Sequence, residues 1–259
     1  MDKGLVKVGC DFVRGRNVLI AHADFRPLLE HWHAHHERNR LATAPEQDAQ
    51  FEEALAAFAL HLAVQPRNRH FSWTINIGRP AYNIFLGGST QDCTVAGRIF
   101  NEEVAEFPKG QFYQEMVMGN REPFRSHTTF DGTRVADAVA AFNACSEQRP
   151  ARLVALGGTR FAYVQEHPDC DMEWFRSLDA SNWDERLAAE ALNTIETREF
   201  SWECGCEDRR RLLRVLLAPF RKDPKALFGD EPTLRMECPR CGARHVITLE
   251  EMEAFAAER

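Results

Sequence analysis

The sequence predicts an α+β protein in three parts. An antiparallel-sheet N-terminal domain with packed helices spans 1–170, a helical linker spans 171–200, and a small C-terminal zinc module with four cysteine ligands spans 201–259. Three observations carry this reading. Residues 70–130 break into short segments of alternating apolar and polar residues, punctuated by glycine. Two stretches with helical spacing, 48–65 and roughly 133–147, flank those segments. Cysteines gather into close pairs only after residue 200. With 259 residues and 44% hydrophobic content, the chain is long enough to bury a substantial core.

The elements follow in order. Residues 6–10 and 18–23 read as short strands, and a histidine-rich stretch, His31-Trp32-His33-Ala34-His35-His36, comes next. Phe51, Leu55, Phe58 and Leu62 recur at helical spacing, with Asp48, Glu52 and Glu53 near the helix start. Segments 71–77, 82–86, 94–100, 111–118 and 123–130 then predict an antiparallel meander. Val135, Val139 and Phe142 mark a helix, and 152–156 with 160–165 form a last hairpin around Gly157-Gly158. In 171–200, Trp183, Leu187, Ala191 and Ile195 recur every four residues. The spacing predicts a helix with a thin apolar stripe, ordered mainly by docking, because short helices are marginal alone. Beyond it, 207–220 reads as a helix, 233–237 and 244–249 as a small hairpin, and 250–258 as a closing helix.

Charge excludes some function classes. The formal net charge is −7, and from Cys204 onward 11 basic residues face 10 acidic ones. Neither part is a basic footprint for nucleic acid. The N-terminus lacks the apolar core of a secretory signal. The longest mostly apolar run, 54–64, is too short to span a bilayer. A cytoplasmic protein without a membrane partner is the expectation. No P-loop, dinucleotide-binding glycine motif or nucleophile elbow is present, so no residues support an enzyme.

The chemistry lies in the cysteines. Cys204-Gly205-Cys206 is followed after 31 residues by Cys238-Pro239-Arg240-Cys241-Gly242. Two thiolates at i and i+3 clamp an ion across a turn; Pro239 fixes φ inside it, and Gly242 is free to take positive φ after it. Gly205 lets the tighter pair turn both sulfurs to one point. Together they make a closed tetrahedral site for one Zn2+ per chain, without an open position for hydrolysis. Arg209, Arg210 and Arg211 begin the following helix, so Cys206 is expected to favour thiolate, ready to react and be resolved by its neighbour Cys204 if oxidant displaces zinc. Loss of zinc would unfold a module this small. Cys10, Cys93, Cys145 and Cys170 are scattered and read as inert small hydrophobes.

This constellation resembles the zinc domain of the bacterial redox-regulated chaperonin, the heat shock protein 33 family. The likeness extends upstream. Residues 141–150, AlaPheAsnAlaCysSerGluGlnArgPro, resemble that family's Tyr-Phe-x-x-Ser-Glu-Gln-x-Pro segment. Residues 71–77 and the turn Gly78-Arg79-Pro80 stand where the family has a strand and glycine-rich turn. The chain is divergent: Val95-Ala96-Gly97-Arg98 stands near the position of the family's Arg-Gly-Tyr motif without that order, and the histidine cluster in 1–47 is not matched to the family. The resemblance implies a holdase chaperone, inactive when reduced and zinc-loaded. Oxidation would form the Cys204–Cys206 and Cys238–Cys241 disulfides, expel zinc and unfold the linker and module. The exposed apolar surface would then bind unfolding client proteins, as a homodimer when oxidised.

A different reading stays open: a zinc-ribbon interaction module with purely structural metal and a protein or nucleic-acid partner. His31 and His35 share a helix face at i, i+4 and could bind a second metal; the alternative is an interface segment anchored by Trp32.

Overall fold

The protein is described by a computed structural model covering residues 4–258. Val6–Val13 (β1) and Val18–Asp24 (β2) form a hairpin. Arg26–Asn39 (α1) and Pro45–Val64 (α2) follow. Next come His70–Ile77 (β3), Tyr82–Ser89 (β4), Thr94–Phe100 (β5), Gly110–Val117 (β6) and Phe124–Phe130 (β7). Val135–Phe142 (α3) runs into a π-helical turn over Asn143–Glu147, then Ala151–Gly157 (β8) and Arg160–Glu166 (β9). Met172–Ser177 (α4), Trp183–Ala188 (α5) and Leu192–Trp202 (β10) follow. The chain ends with Arg209–Lys222 (α6), Pro224–Phe228 (α7), Thr233–Glu237 (β11), Arg244–Thr248 (β12) and Leu249–Ala257 (α8).

Ten strands make one sheet in the order β7-β6-β3-β4-β5-β10-β1-β2-β9-β8, and β11-β12 stand apart as a hairpin. Neighbours are antiparallel, except where Ser201 and Trp202 of β10 run parallel to Thr94 and Val95 of β5. The expected α+β class with an antiparallel sheet over 70–130 is thus observed, but the expected meander is corrected: β6 crosses back to pair with β3, and β5 is followed in the sheet by β10. β3 lies between β4 and β6, with Trp73 opposite Leu86 and Gln114. Its alternation puts Phe71, Trp73 and Ile75 into the core and leaves Ser72 and Thr74 on the other face.

One face of the sheet carries α2. Phe51, Leu55, Phe58 and Leu62 are completely buried there. Burial of each such side chain contributes about 1.5–3 kcal/mol. The opposite face differs along the sheet. At β1, β2, β8 and β9 it is also apolar, through Val13, Val18, Ile20, Val154, Ala162 and Val164. Trp174, Phe175, Leu178 and Trp183, from α4, α5 and their connection, cover it. Asp171 caps α4 by accepting from the Trp174 N–H at 3.0 Å. The Arg152 guanidinium donates to the carbonyls of Phe175, Arg176 and Leu178. Docking therefore orders these short helices.

The sequence-based helix through Ile195 is corrected here. Helix stops at Ala188, and Leu192–Trp202 is a strand paired with β1 from Leu192 to Phe200. The four-residue recurrence continued by chance across the boundary. The strand pattern was masked because the inward position before Phe200 and Trp202 is Arg198, only 5% exposed. Its guanidinium donates to the Leu62 carbonyl at the end of α2 and pairs with Glu196.

The C-terminal residues have a separate apolar cluster. Leu212, Leu213, Leu216 and Phe220 of α6 meet Phe228, Ile247, Met252 and Phe255. No helix among the described residues is long and apolar enough to cross a membrane.

Candidate metal centre

Cys204 and Cys206 lie on the loop after β10, and Cys238 and Cys241 on the turn between β11 and β12. Gly205 has φ +76° and Gly242 φ +75°, conformations in which a side chain is strained. The second turn is tied by Gly242 N–H to the Cys238 carbonyl at 2.9 Å and by Cys238 N–H to the Ala243 carbonyl at 2.8 Å. All four sulfurs lie within 4.8 Å of one another. Cys204 and Cys238 are 3.5 Å apart, as are Cys206 and Cys241. A tetrahedron with metal–sulfur bonds of about 2.3 Å has edges of about 3.8 Å. The arrangement thus fits one ion, while 3.5 Å is far beyond a disulfide bond of about 2.05 Å. Cys238 and Cys241 are buried; Cys204 and Cys206 are half-buried. Among the described residues, these four cysteines are the group that could hold a metal.

Known proteins resemble this chain in sequence and in fold. Two curated relatives, each named 33 kDa chaperonin, come from Thermotoga petrophila and Thermotoga sp. strain RQ2. Each is 25% identical over 222 residues, covering 70% of this chain and 76% of the relative. A crystal structure of the 33 kDa chaperonin (heat shock protein 33 homolog) from Thermotoga maritima matches with TM-score 0.73. That likeness covers 98% of both chains at 16% identity. The chain is thus similar in sequence to 33 kDa chaperonins and shares the fold of one of them. No protein-family model matches it.

The cysteines' surroundings hold residues that sequence reasoning missed. Arg240, inside the second turn, donates to the Cys204 carbonyl at 3.3 Å. Arg98 of β5 donates to the Cys238 carbonyl at 3.2 Å and pairs with Glu237 at 3.4 Å. His35 of α1 places Nε2 at 2.8 Å from the Cys241 carbonyl. The carbonyl can only accept, so Nε2 carries the proton; the Asn39 amide lies 3.4 Å from Nδ1. Burial pushes the His35 pKa down, keeping the ring neutral. The position of Arg240 between two cysteines was a local signal; Arg98 and His35 are distant in sequence and had none.

The histidine stretch is therefore divided. His33 contacts Glu52, His35 reaches Cys241, and His36 packs on Trp32, which stacks on Phe51 at 4.7 Å. The interface reading anchored by Trp32 describes this better than a second metal site.

Two of the three arginines expected beside Cys206 are engaged elsewhere, while Arg211 stays next to Gly205. Asp208 caps α6, and Arg209 and Arg210 pair with Glu251 and Glu258 rather than with sulfur. Hydrogen bonding to Cys204 pushes the Cys206 pKa up, and the reciprocal interaction pushes Cys204 down. Of the scattered cysteines, Cys10 is buried and its pKa is pushed up to about 12. An open cavity of about 510 Å³ borders the centre, lined by Cys204, Gly205, Arg211 and Arg240.

Proposed function

We propose that this chain is a redox-regulated holdase chaperone. The observation that carries the reading is the convergence of Cys204, Cys206, Cys238 and Cys241 within 4.8 Å. The chaperonin names of its relatives support the chaperone part. The four cysteines would hold one Zn2+, which when bound supplies a cross-link between the two loops and keeps the sulfurs as thiolates.

The chain's own residues perform the switch. Peroxide or hypochlorous acid reaches Cys204 through the open cavity. With peroxide, each pair of thiolates gives up two electrons, a sulfur–sulfur bond forms, and the oxygen–oxygen bond breaks to leave two hydroxides. Two equivalents form Cys204–Cys206 and Cys238–Cys241. A disulfide sulfur no longer offers the charge that holds the ion. Residues 201–259 then lose their tie, and α4 and α5, the part of the linker over 171–200 that is docked on the sheet of the N-terminal domain over 1–170, detach while β10 stays in the sheet. The face of Val13, Val18, Ile20, Val154, Ala162 and Val164 becomes available to unfolding proteins.

The partners would be unfolding client proteins, with a homodimer as the oxidised form and the cytoplasm as the site of action. The reading includes neither enzymatic activity nor membrane or nucleic-acid binding. The test is an oxidant titration that reads free thiols, released zinc and aggregation of a chemically unfolded client together. Four thiols lost, one zinc released and aggregation suppressed are expected. A chain that releases zinc and still fails to hold a client contradicts the holdase. Zinc retained under oxidant would favour a structural zinc-ribbon interaction module.

A further inference from the structure

The metal centre does not sit free at the tip of the C-terminal segment. Three of its four cysteines have their carbonyl oxygens held by side-chain donors. His35 holds Cys241, Arg98 holds Cys238, and Arg240 holds Cys204. Two of these donors belong to the N-terminal domain. The third lies across its sheet: a Cβ added at Gly87 of β4 would meet Arg240 Nη2 at 3.3 Å. Asn39, one turn beyond His35, accepts from the Arg244 N–H at 3.1 Å. Leu41 packs against Gly242, whose added Cβ would meet Leu41 Cδ1 at 2.9 Å. Trp202, at the end of β10 and two residues before Cys204, lies against the His35 ring at 5.4 Å.

We propose that His35, Arg98 and Arg240 form a latch that docks the cysteine loops on the N-terminal domain and sets how readily the metal leaves. The inference rests on the reading that the four cysteines bind zinc, and assigns these three as positioning residues. Two physical effects act together. Each hydrogen bond fixes the backbone of a ligand cysteine, so both loops are held in the arrangement the ion needs. A divalent ion with four thiolates carries a net charge of −2, and Arg98 and Arg240 supply two neighbouring positive charges. Metal and docking are thereby coupled: an undocked loop binds metal less well, and a metal-free loop docks less well. The donors and carbonyls are polar groups that water can satisfy after release, so the latch opens without orphaning a buried charge.

The test uses the full chain, reduced and zinc-loaded, mixed with excess chelating chromophore. His35→Leu and Arg98→Gln should each release zinc about tenfold faster or more than the wild type, the scale seen when supporting partners of metal ligands are removed. His35→Gln keeps an N–H donor and should restore slow release. Wild-type release rates in both His35→Leu and Arg98→Gln would overturn the latch. Release from His35→Gln as fast as from His35→Leu would also overturn it, by assigning the effect to lost packing on Trp202. If His35→Leu fails to fold, Arg98→Gln decides alone. The assay contains neither oxidant nor client. A slow-releasing chain that never holds a client would therefore contradict the holdase and leave the latch standing.

Discussion

The two ends of the molecule are held together in different ways. In the N-terminal domain, α2 lies on β3, β4 and β5, with Phe51, Leu55, Phe58, Trp73, Ile75 and Leu86 all at 0% exposure. The C-terminal cluster is thinner. Its largest members, Phe220, Phe228 and Phe255, remain 7%, 6% and 4% exposed. A segment this short rarely closes a stable core by apolar burial alone. The first region stands on packing; the second needs a cross-link. Between them, α4 and α5 are too short to persist without docking. The difference is what a switch requires: a metal centre can release one region while leaving the other folded.

The largest expected effect follows from removing the cross-link. Structural zinc contributes on the order of 10–16 kcal/mol in small metal-dependent modules. Cys241→Ser, or chelation of the wild type, should abolish hydrogen-exchange protection in α6 and α8 while α2 and β3 keep theirs. Equal loss in both regions would break the comparison.

Next come the large side chains. Trp174→Ala should cost about 3–5 kcal/mol of docking free energy, enough to free the linker. Increased binding of an apolar dye by the reduced, zinc-loaded chain would report it. Phe58→Ala should cost a similar amount, but as global stability in denaturant with zinc content unchanged.

A pH effect of similar upper size sharpens the contrast. His61 is completely buried among Phe71, Trp73 and Tyr163, with neither ring nitrogen bonded. Burial pushes its pKa down to about 3 from 6.5. Below pH 6.5 the unfolded chain therefore takes up a proton that the folded chain refuses. The stability is complete above pH 6.5 and is lost as pH falls towards 3, by up to about 4–5 kcal/mol. His36, pushed down to about 4 by burial, acts in the same direction. His61→Leu should lower the acid-unfolding midpoint of the N-terminal domain.

The smallest effect concerns the turn. Gly242→Ala places a side chain at φ +75°, where a left-handed conformation costs about 1–2 kcal/mol. Faster zinc release with unchanged denaturation of the N-terminal domain is expected.

Much of this contrast was legible in the sequence, for identifiable reasons. The alternation of Phe71, Trp73 and Ile75 reports a strand with one buried face, and the spacing of Phe51, Leu55, Phe58 and Leu62 reports a helix. The two cysteine pairs announce their own convergence, because glycine and proline fix the turns between them. β10 was hidden because Arg198 occupies a buried position that the pattern assigns to an apolar residue. It is tolerated there by Glu196, two residues earlier, and by the Leu62 carbonyl, which only the fold brings near. The docking residues were hidden for the same reason. His35 and Cys241 are 206 positions apart, and no local pattern links them.

The most direct test of the account is hydrogen exchange on the reduced and peroxide-oxidised chain, alongside client aggregation. Oxidation is expected to strip protection from 172–188 and 209–257, leave α2 and β3 protected, and confer suppression of aggregation absent from the reduced chain. An oxidised chain that holds client with both segments still protected would contradict the account.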